Sequence, residues 1–211
     1  MKPELRFHSY ISAVVIVLMY FLVKYAAPAA GKLPLPAQVI TPFIGIILSL
    51  GVYRLMASVL LSFAKNWNWL KRHLLGPSYI NGTWVGKYRL FDGSVARTVE
   101  HFEQNVGSLQ IRGTAYLSNG AIHAQWSSVS ATINETSGSI IYTYTCTTLS
   151  SNVTHQGLCD FQFQRENAES PPTVLVGYSA DLTDGIRIAN SEHKVSDKLI
   201  DSDQALRLQK T

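Results

Sequence analysis

Eight side chains carry the chemistry that can be read from this sequence: Tyr88, Thr98, Gln104, Arg112, Trp126, Tyr142, Tyr144 and Tyr178. They lie in segments that alternate apolar and polar residues, so alternate side chains in each segment share a face. Trp84, Gly86, Tyr88 and Leu90 fall on one face, and Ile140, Tyr142, Tyr144 and Cys146 on another. In the segment between them Phe102 shares its face with Thr98, Glu100 and Gln104, so polar groups enter an apolar layer and need partners there. The small residues Gly86 and Gly113 leave room beside the large rings. Aromatic planes, scattered donors and space are the materials of a ligand pocket, although the same rings also serve simply to fill a core. Arg112 conflicts with this pattern, because the alternation that buries Ile111 and Gly113 turns it outward.

The pattern points to binding rather than catalysis. The six histidines lack paired helical spacing for zinc, no glycine-rich phosphate loop is present, and no serine sits in a nucleophile elbow. His101 between Glu100 and Glu103 fits a solvated strand face better than acid-base chemistry. Cys146 and Cys159 fall on neighbouring strands and are close enough to pair, but a cytoplasmic setting favours free thiols. No enzyme activity, cofactor or metal is expected.

The elements that position these residues are strands. Segments rich in Val, Ile, Thr, Tyr and Phe are expected near Gly82 to Leu90, Arg97 to Gln104, Ser108 to Leu117, Ile122 to Ile133, Ser139 to Thr147, Gln156 to Gln164, Thr173 to Asp181 and Ile186 to Asn190. Turn signals such as Asp92-Gly93, Asn119-Gly120 and Asp184-Gly185 separate them. Eight consecutive antiparallel strands close most simply as an up-and-down barrel, which leaves no sheet edge exposed. The opening Gly82-Thr83-Trp84 resembles the start of lipocalin-like barrels, whose tryptophan plugs one end. The barrel is placed at residues 79 to 190. The polar tail from Ser191 to Thr211 fits either short helical turns around Val195, Leu199 and Ile200 or disorder.

Residues 1 to 78 have a different solvent. They hold eight Lys/Arg against Glu4 alone, whereas the remainder holds ten basic and thirteen acidic residues. The formal net charge of +4 therefore belongs to the first part, and the mildly acidic remainder argues against polymeric nucleic acid as a partner. The run from Tyr10 to Val23 is almost wholly apolar, and so is Val39 to Phe63 apart from Arg54. The first run, with the small residues Ala26 to Ala30 after it, also fits a cleaved signal peptide, but the second run that follows at once favours two membrane spans.

The prolines and glycine between Pro28 and Pro36 predict a tight helical hairpin. Lys2, Arg6, Lys65, Lys71 and Arg72 flank its outer ends against Lys24 and Lys32 at the loop, which predicts cytoplasmic termini. Trp67 and Trp69 form an interfacial belt, and Gly76-Pro77 ends the helical part. Arg54 either snorkels or serves inside a helix bundle. Small residues four apart, at Gly45 and Ser49 and at Ser58 and Ser62, permit close helix packing.

Two spans, the Trp67/Trp69 exit, the strand Asn81 to Tyr88 and the segment Phe102 to Gly113 together resemble the two-transmembrane β-barrel effectors of bacterial anti-phage signalling systems that use cyclic oligonucleotides (CBASS). The resemblance covers nearly the whole chain. It implies an inner-membrane protein whose cytoplasmic barrel binds a cyclic dinucleotide, then forms a homo-oligomer that disrupts the bilayer. Tyr88, Trp126, Tyr142, Tyr144 and Tyr178 would then stack on bases, and Arg112, Arg165, Thr98 and Thr114 would supply donors to phosphates. Two rivals remain at this stage: a membrane-tethered lipocalin-like carrier or receptor of a lipid or other small hydrophobe, and an anchor whose solid barrel binds a protein on its outside.

Overall fold

The computed structural model describes residues 3–30, 35–90, 92–149 and 151–209. They divide into two units, Met1–Leu74 and Leu75–Thr211.

The first unit is helical: α1 (Pro3–Ala30), α2 (Leu35–Asn66) and α3 (Asn68–Leu75). Within α1 and α2 the stretches Leu5–Tyr25 and Ile46–Phe63 are long and apolar enough to cross a membrane. Phe7, Ile11 and Val15, spaced four apart on α1, are buried, while Val17, Tyr20, Phe21, Leu50 and Leu55 lie exposed around the helices. A hairpin with so narrow an inner seam and so much apolar surface outside it suits a lipid environment. Polar links fasten the ends: Tyr53 meets His8, and the Tyr10 hydroxyl lies 2.9 Å from Nε2 of His73. The helices include two of the three prolines expected to break them, with Pro28 in the last turn of α1 and Pro36 in the first turn of α2, where a missing N–H costs nothing. Residues 31–34 of the expected turn lie outside what is described. Trp67 and Trp69 are exposed at the start of α3. Gly76, at a φ of 56°, ends the helical part as expected.

The second unit is a closed antiparallel barrel in simple sequential order. Its strands are β1 (Gly82–Arg89), β2 (Val95–Gln104), β3 (Leu109–Tyr116), β4 (Ile122–Asn134), β5 (Ser139–Thr148), β6 (Val153–Gln164), β7 (Val174–Asp181) and β8 (Arg187–Ser196). Closure comes from β1, which pairs with β2 on one side and β8 on the other. Tight turns at Asn119-Gly120 and Asp184-Gly185 use glycines at φ 86° and 68°, a conformation that other residues enter only with strain. A bulge between Ser128 and Ser130 shifts the register of β4, and the Ser128 hydroxyl accepts the N–H of Ile111 across it.

The core fills one end of the barrel. Trp84, Phe102, Ile111, Ile140, Phe161 and Leu175 are each 0% exposed there, so this end is solid. The Trp84 indole donates to the carbonyl of Ile80 at 2.9 Å, which satisfies its polar edge inside the plug.

The expected boundary at residue 190 falls within β8, which continues to Ser196. The tail is ordered: α4 (Ser202–Leu208) is capped by Asp201, whose carboxylate accepts from Asp203 N at 3.0 Å. Ala205 on α4 is fully buried against Val85 and Val99, outward-facing residues of β1 and β2. The apolar outer face of those strands therefore explains why the tail folds.

Candidate functional site

Opposite the Trp84 plug the barrel is hollow. A cavity of about 470 Å³ opens between the β1–β2, β3–β4, β5–β6 and β7–β8 turns. Inward alternation builds it: Tyr88 from β1, Thr98 and Glu100 from β2, Ala124 and Trp126 from β4, Tyr144 and Cys146 from β5, Ser179 from β7 and Asn190 from β8. The size is that of a small-molecule pocket. Two glycines make the aromatic walls possible, because a side chain at Gly113 would strike the Trp126 ring and one at Gly157 would strike Tyr144.

Of the sequence-based candidates, Tyr88, Thr98, Trp126 and Tyr144 line this cavity. Tyr142 lies deeper, 1% exposed among the core residues, and its hydroxyl donates to Glu100 Oε2 at 3.1 Å. The other three lie elsewhere. Gln104 is one rung too far along β2 and belongs to the plugged end, where it accepts the N–H of Ile80 at 2.7 Å and donates to the Ser78 carbonyl at 2.8 Å. Arg112 points outward, ion-pairs with Glu103 and borders an open external groove that also touches His101, Thr114 and Gln125. Tyr178 is on the outer face as well, because the inward residues of β7 are Leu175 and Ser179; the Arg187 guanidinium stacks 4.6 Å from its ring centre.

The cavity has an electrostatic gradient. At its rim, hydrogen bonds from Ser94 lower the Asp92 pKa, and hydrogen bonds from Thr183 lower that of Asp181, so both are ionised at neutral pH. His155 Nε2 stands 3.7 Å from Asp181 Oδ2. At the floor Glu100, and just beyond the lining Glu192, are both buried and both raised, chiefly by loss of water; the Glu100 carboxyl adds to the rise of Glu192, and the Tyr142 hydrogen bond offsets part of that of Glu100. Glu100 is pushed up to about 8. Burial likewise raises Tyr142, Tyr144 and Cys159, the titratable groups packed around the pair, and it lifts Tyr88 to about 12 and Cys146 to about 11. At neutral pH the interior is therefore uncharged and rich in hydroxyl and carboxyl groups. No Lys or Arg is among the described residues that line it.

Both cysteines are free thiols. Register sets them apart, with Cys146 opposite His155 and Cys159 opposite Tyr142.

No family model matches the chain, and no curated protein does. Among solved structures, a de novo designed fluorescence-activating β-barrel is similar at 14% identity and a TM-score of 0.35, covering 56% of this chain and 95% of that one. A redesigned β-barrel bound to DFHBI is similar at 16% identity and a TM-score of 0.30, covering 55% of this chain and 98% of that one. These likenesses concern barrel shape alone.

Sequence reasoning missed Glu192, because the expected last strand stops at Asn190 and β8 continues to Ser196. It named Glu100 on the inner face without giving it a place in the site. Inward parity carried through β8 would have found both, since Asn190 and Glu192 share a face.

Proposed function

We propose that the protein is a membrane-anchored receptor whose barrel takes a small planar ligand into its half-open cavity, and that the ligand is a cyclic dinucleotide inserted base first. The observation that carries this reading is the 470 Å³ cavity walled by Tyr88, Trp126 and Tyr144 above hydroxyl and carboxyl groups. Rings of this kind stack on bases regardless of sequence, and the polar groups below them can read a base edge. The described lining residues include no Lys or Arg and the rim is ionised, which opposes burial of phosphates, so the phosphodiester ring stays at the mouth in water. The resemblance to the CBASS barrel effectors supplies the ligand class.

In this reading α1 and α2 cross the bacterial inner membrane as a multi-pass anchor with both termini cytoplasmic, consistent with the basic residues at their outer ends. Ligand binding promotes homo-oligomerisation of the hairpins and disrupts the bilayer. The test is dye efflux from liposomes carrying the full-length protein, with a panel of cyclic dinucleotides added on the barrel side. Ligand-dependent efflux supports the effector reading, and efflux that ignores ligand removes it.

The apolar mouth residues Leu90, Ile186 and Ile188 favour a second reading, a tethered carrier or receptor of a neutral lipid or other hydrophobe. Native mass spectrometry of the purified protein decides between them: a copurified lipid, with no affinity for any cyclic dinucleotide, favours the carrier.

A further inference from the structure

We propose that the cavity floor at Glu100 and Asn190, backed by the buried Glu192 carboxyl, is a recognition site for a planar group bearing two adjacent N–H donors: an amidine, a guanidinium, or the N1–H and 2-amino edge of guanine. The inference deepens the receptor reading and rests on a ligand entering this cavity.

Local backbone packing creates the site. Gly86 of β1 pairs with Thr98 of β2 on one side and with Glu192 of β8 on the other. A side chain at Gly86 would collide with the Glu192 carboxyl, so the missing Cβ is what lets residues of β2 and β8 meet across β1. The Glu192 Oε1 atom accepts from the Thr98 hydroxyl at 2.8 Å. Its Oε2 atom is buried, in a residue 0% exposed, and has no hydrogen-bond partner. Asn190 lines the cavity on the same strand face, and its Oδ1 atom is buried without a partner too. Glu100, 1% exposed, borders the cavity and uses Oε2 to hold the Tyr142 hydroxyl.

Buried acceptors without donors are rare in folded proteins, and of these two Asn190 lines the open cavity, with Glu192 next to it on the same face of β8. Held protonated, Glu192 carries a donor of its own, so an N–H pair arriving from the cavity is accommodated as that carboxyl gives up its proton. A ligand that offers two parallel N–H groups matches a carboxylate in the fork geometry that guanidinium uses, and flat walls of Tyr88, Trp126 and Tyr144 select for planarity. A phosphate or carboxylate ligand would meet like charge at the rim and acceptors at the floor. Water is the competing donor, and the experiment separates the two.

The full-length protein in detergent micelles is titrated calorimetrically with benzamidine, cyclic di-GMP and cyclic di-AMP, alongside the variants Glu100→Gln and Glu192→Gln. Benzamidine is expected to bind wild type saturably and each variant at least about tenfold more weakly. Cyclic di-GMP is expected to bind at least about tenfold more tightly than cyclic di-AMP, since adenine offers one amino donor next to an acceptor. A measurement on wild type alone guards against misfolded variants. Repeated in buffers of different ionisation heat, binding should release about one proton, because a donor pair favours the carboxylate of a pair held protonated in the empty site. Tyr142, Tyr144 and Cys159 face the pair but are raised further from neutrality and do not contribute.

Benzamidine that fails to saturate, or that binds wild type and both variants equally, overturns the proposal and leaves water as the donor. Benzamidine binding with no affinity for either dinucleotide keeps the floor site and removes the cyclic-dinucleotide reading. Equal binding of the two dinucleotides, insensitive to both variants, keeps the receptor and removes the floor site.

Discussion

Replacing Glu192 with Gln should flatten the pH dependence of stability in a calculable way. In the unfolded chain both floor glutamates titrate near 4.5, whereas in the barrel both are raised, Glu100 to about 8. Between those values the native state holds protons that the unfolded state releases. Stability from this source is therefore complete below pH 4.5 and is lost as pH rises through the native values. Each carboxyl that stays protonated lowers stability by about 1.4 kcal/mol per pH unit, so the pair approaches twice that slope. Removing one titrating group while keeping its shape takes away one share. The variant should thus gain on wild type as pH rises above 5.5, by about 1.4 kcal/mol for each pH unit over which Glu192 stays protonated in the barrel. His101, lowered mainly by burial, acts in the opposite direction but equally in both proteins. Urea unfolding of the full-length protein in micelles at several pH values, followed by tryptophan fluorescence, measures the difference. Parallel pH profiles for wild type and variant would refute the claim that Glu192 is held neutral.

Other perturbations separate the two ends of the barrel. Gly113→Val should push the Trp126 ring aside at a cost of about 1–3 kcal/mol and reduce the cavity, which loss of small-molecule binding by a still-folded barrel would reveal. Gln104→Leu should destabilise by about 2 kcal/mol, because it strands the Ile80 N–H and the Ser78 carbonyl, yet leave ligand affinity unchanged; thermal unfolding and calorimetry check both halves. Burial raises the Cys146 thiol to about 11, so at pH 7.5 it should react with a disulfide reagent about a hundredfold more slowly than free cysteine until the barrel is unfolded, and Cys159, raised as well, should also be slow.

Alternation made most of the barrel legible. Period two alone put Trp84 with Tyr88, and Tyr142 with Ile140, on shared faces, because a half-buried strand leaves a strong signal, but it did not say which faces point inward. β7 misled because Val174, Val176 and Tyr178 are the bulkier set, yet they lie outside while Leu175, Gly177 and Ser179 face in. Gly177 is opposed by the β6 backbone at Asp160, a close approach that leaves no room for a side chain and that hydropathy does not encode. The order of the tail was hidden as well, since α4 depends on the outer face of β1 and β2, more than a hundred residues away in sequence. The buried acids were the least legible feature. Glu100 shares a face with Phe102, but Glu192 fell in the polar tail, and only barrel closure through β1 brings the two together. Nothing in one strand's pattern reports a partner on another.

The measurement that bears most directly on a ligand-binding barrel is equilibrium binding of a cyclic-dinucleotide panel to the full-length protein in lipid nanodiscs, with Gly113→Val in parallel. The account predicts saturable binding of at least one member to wild type and its loss in the variant, whose displaced Trp126 narrows the cavity. Absence of saturable binding across the panel, or equal binding by the variant, would contradict it.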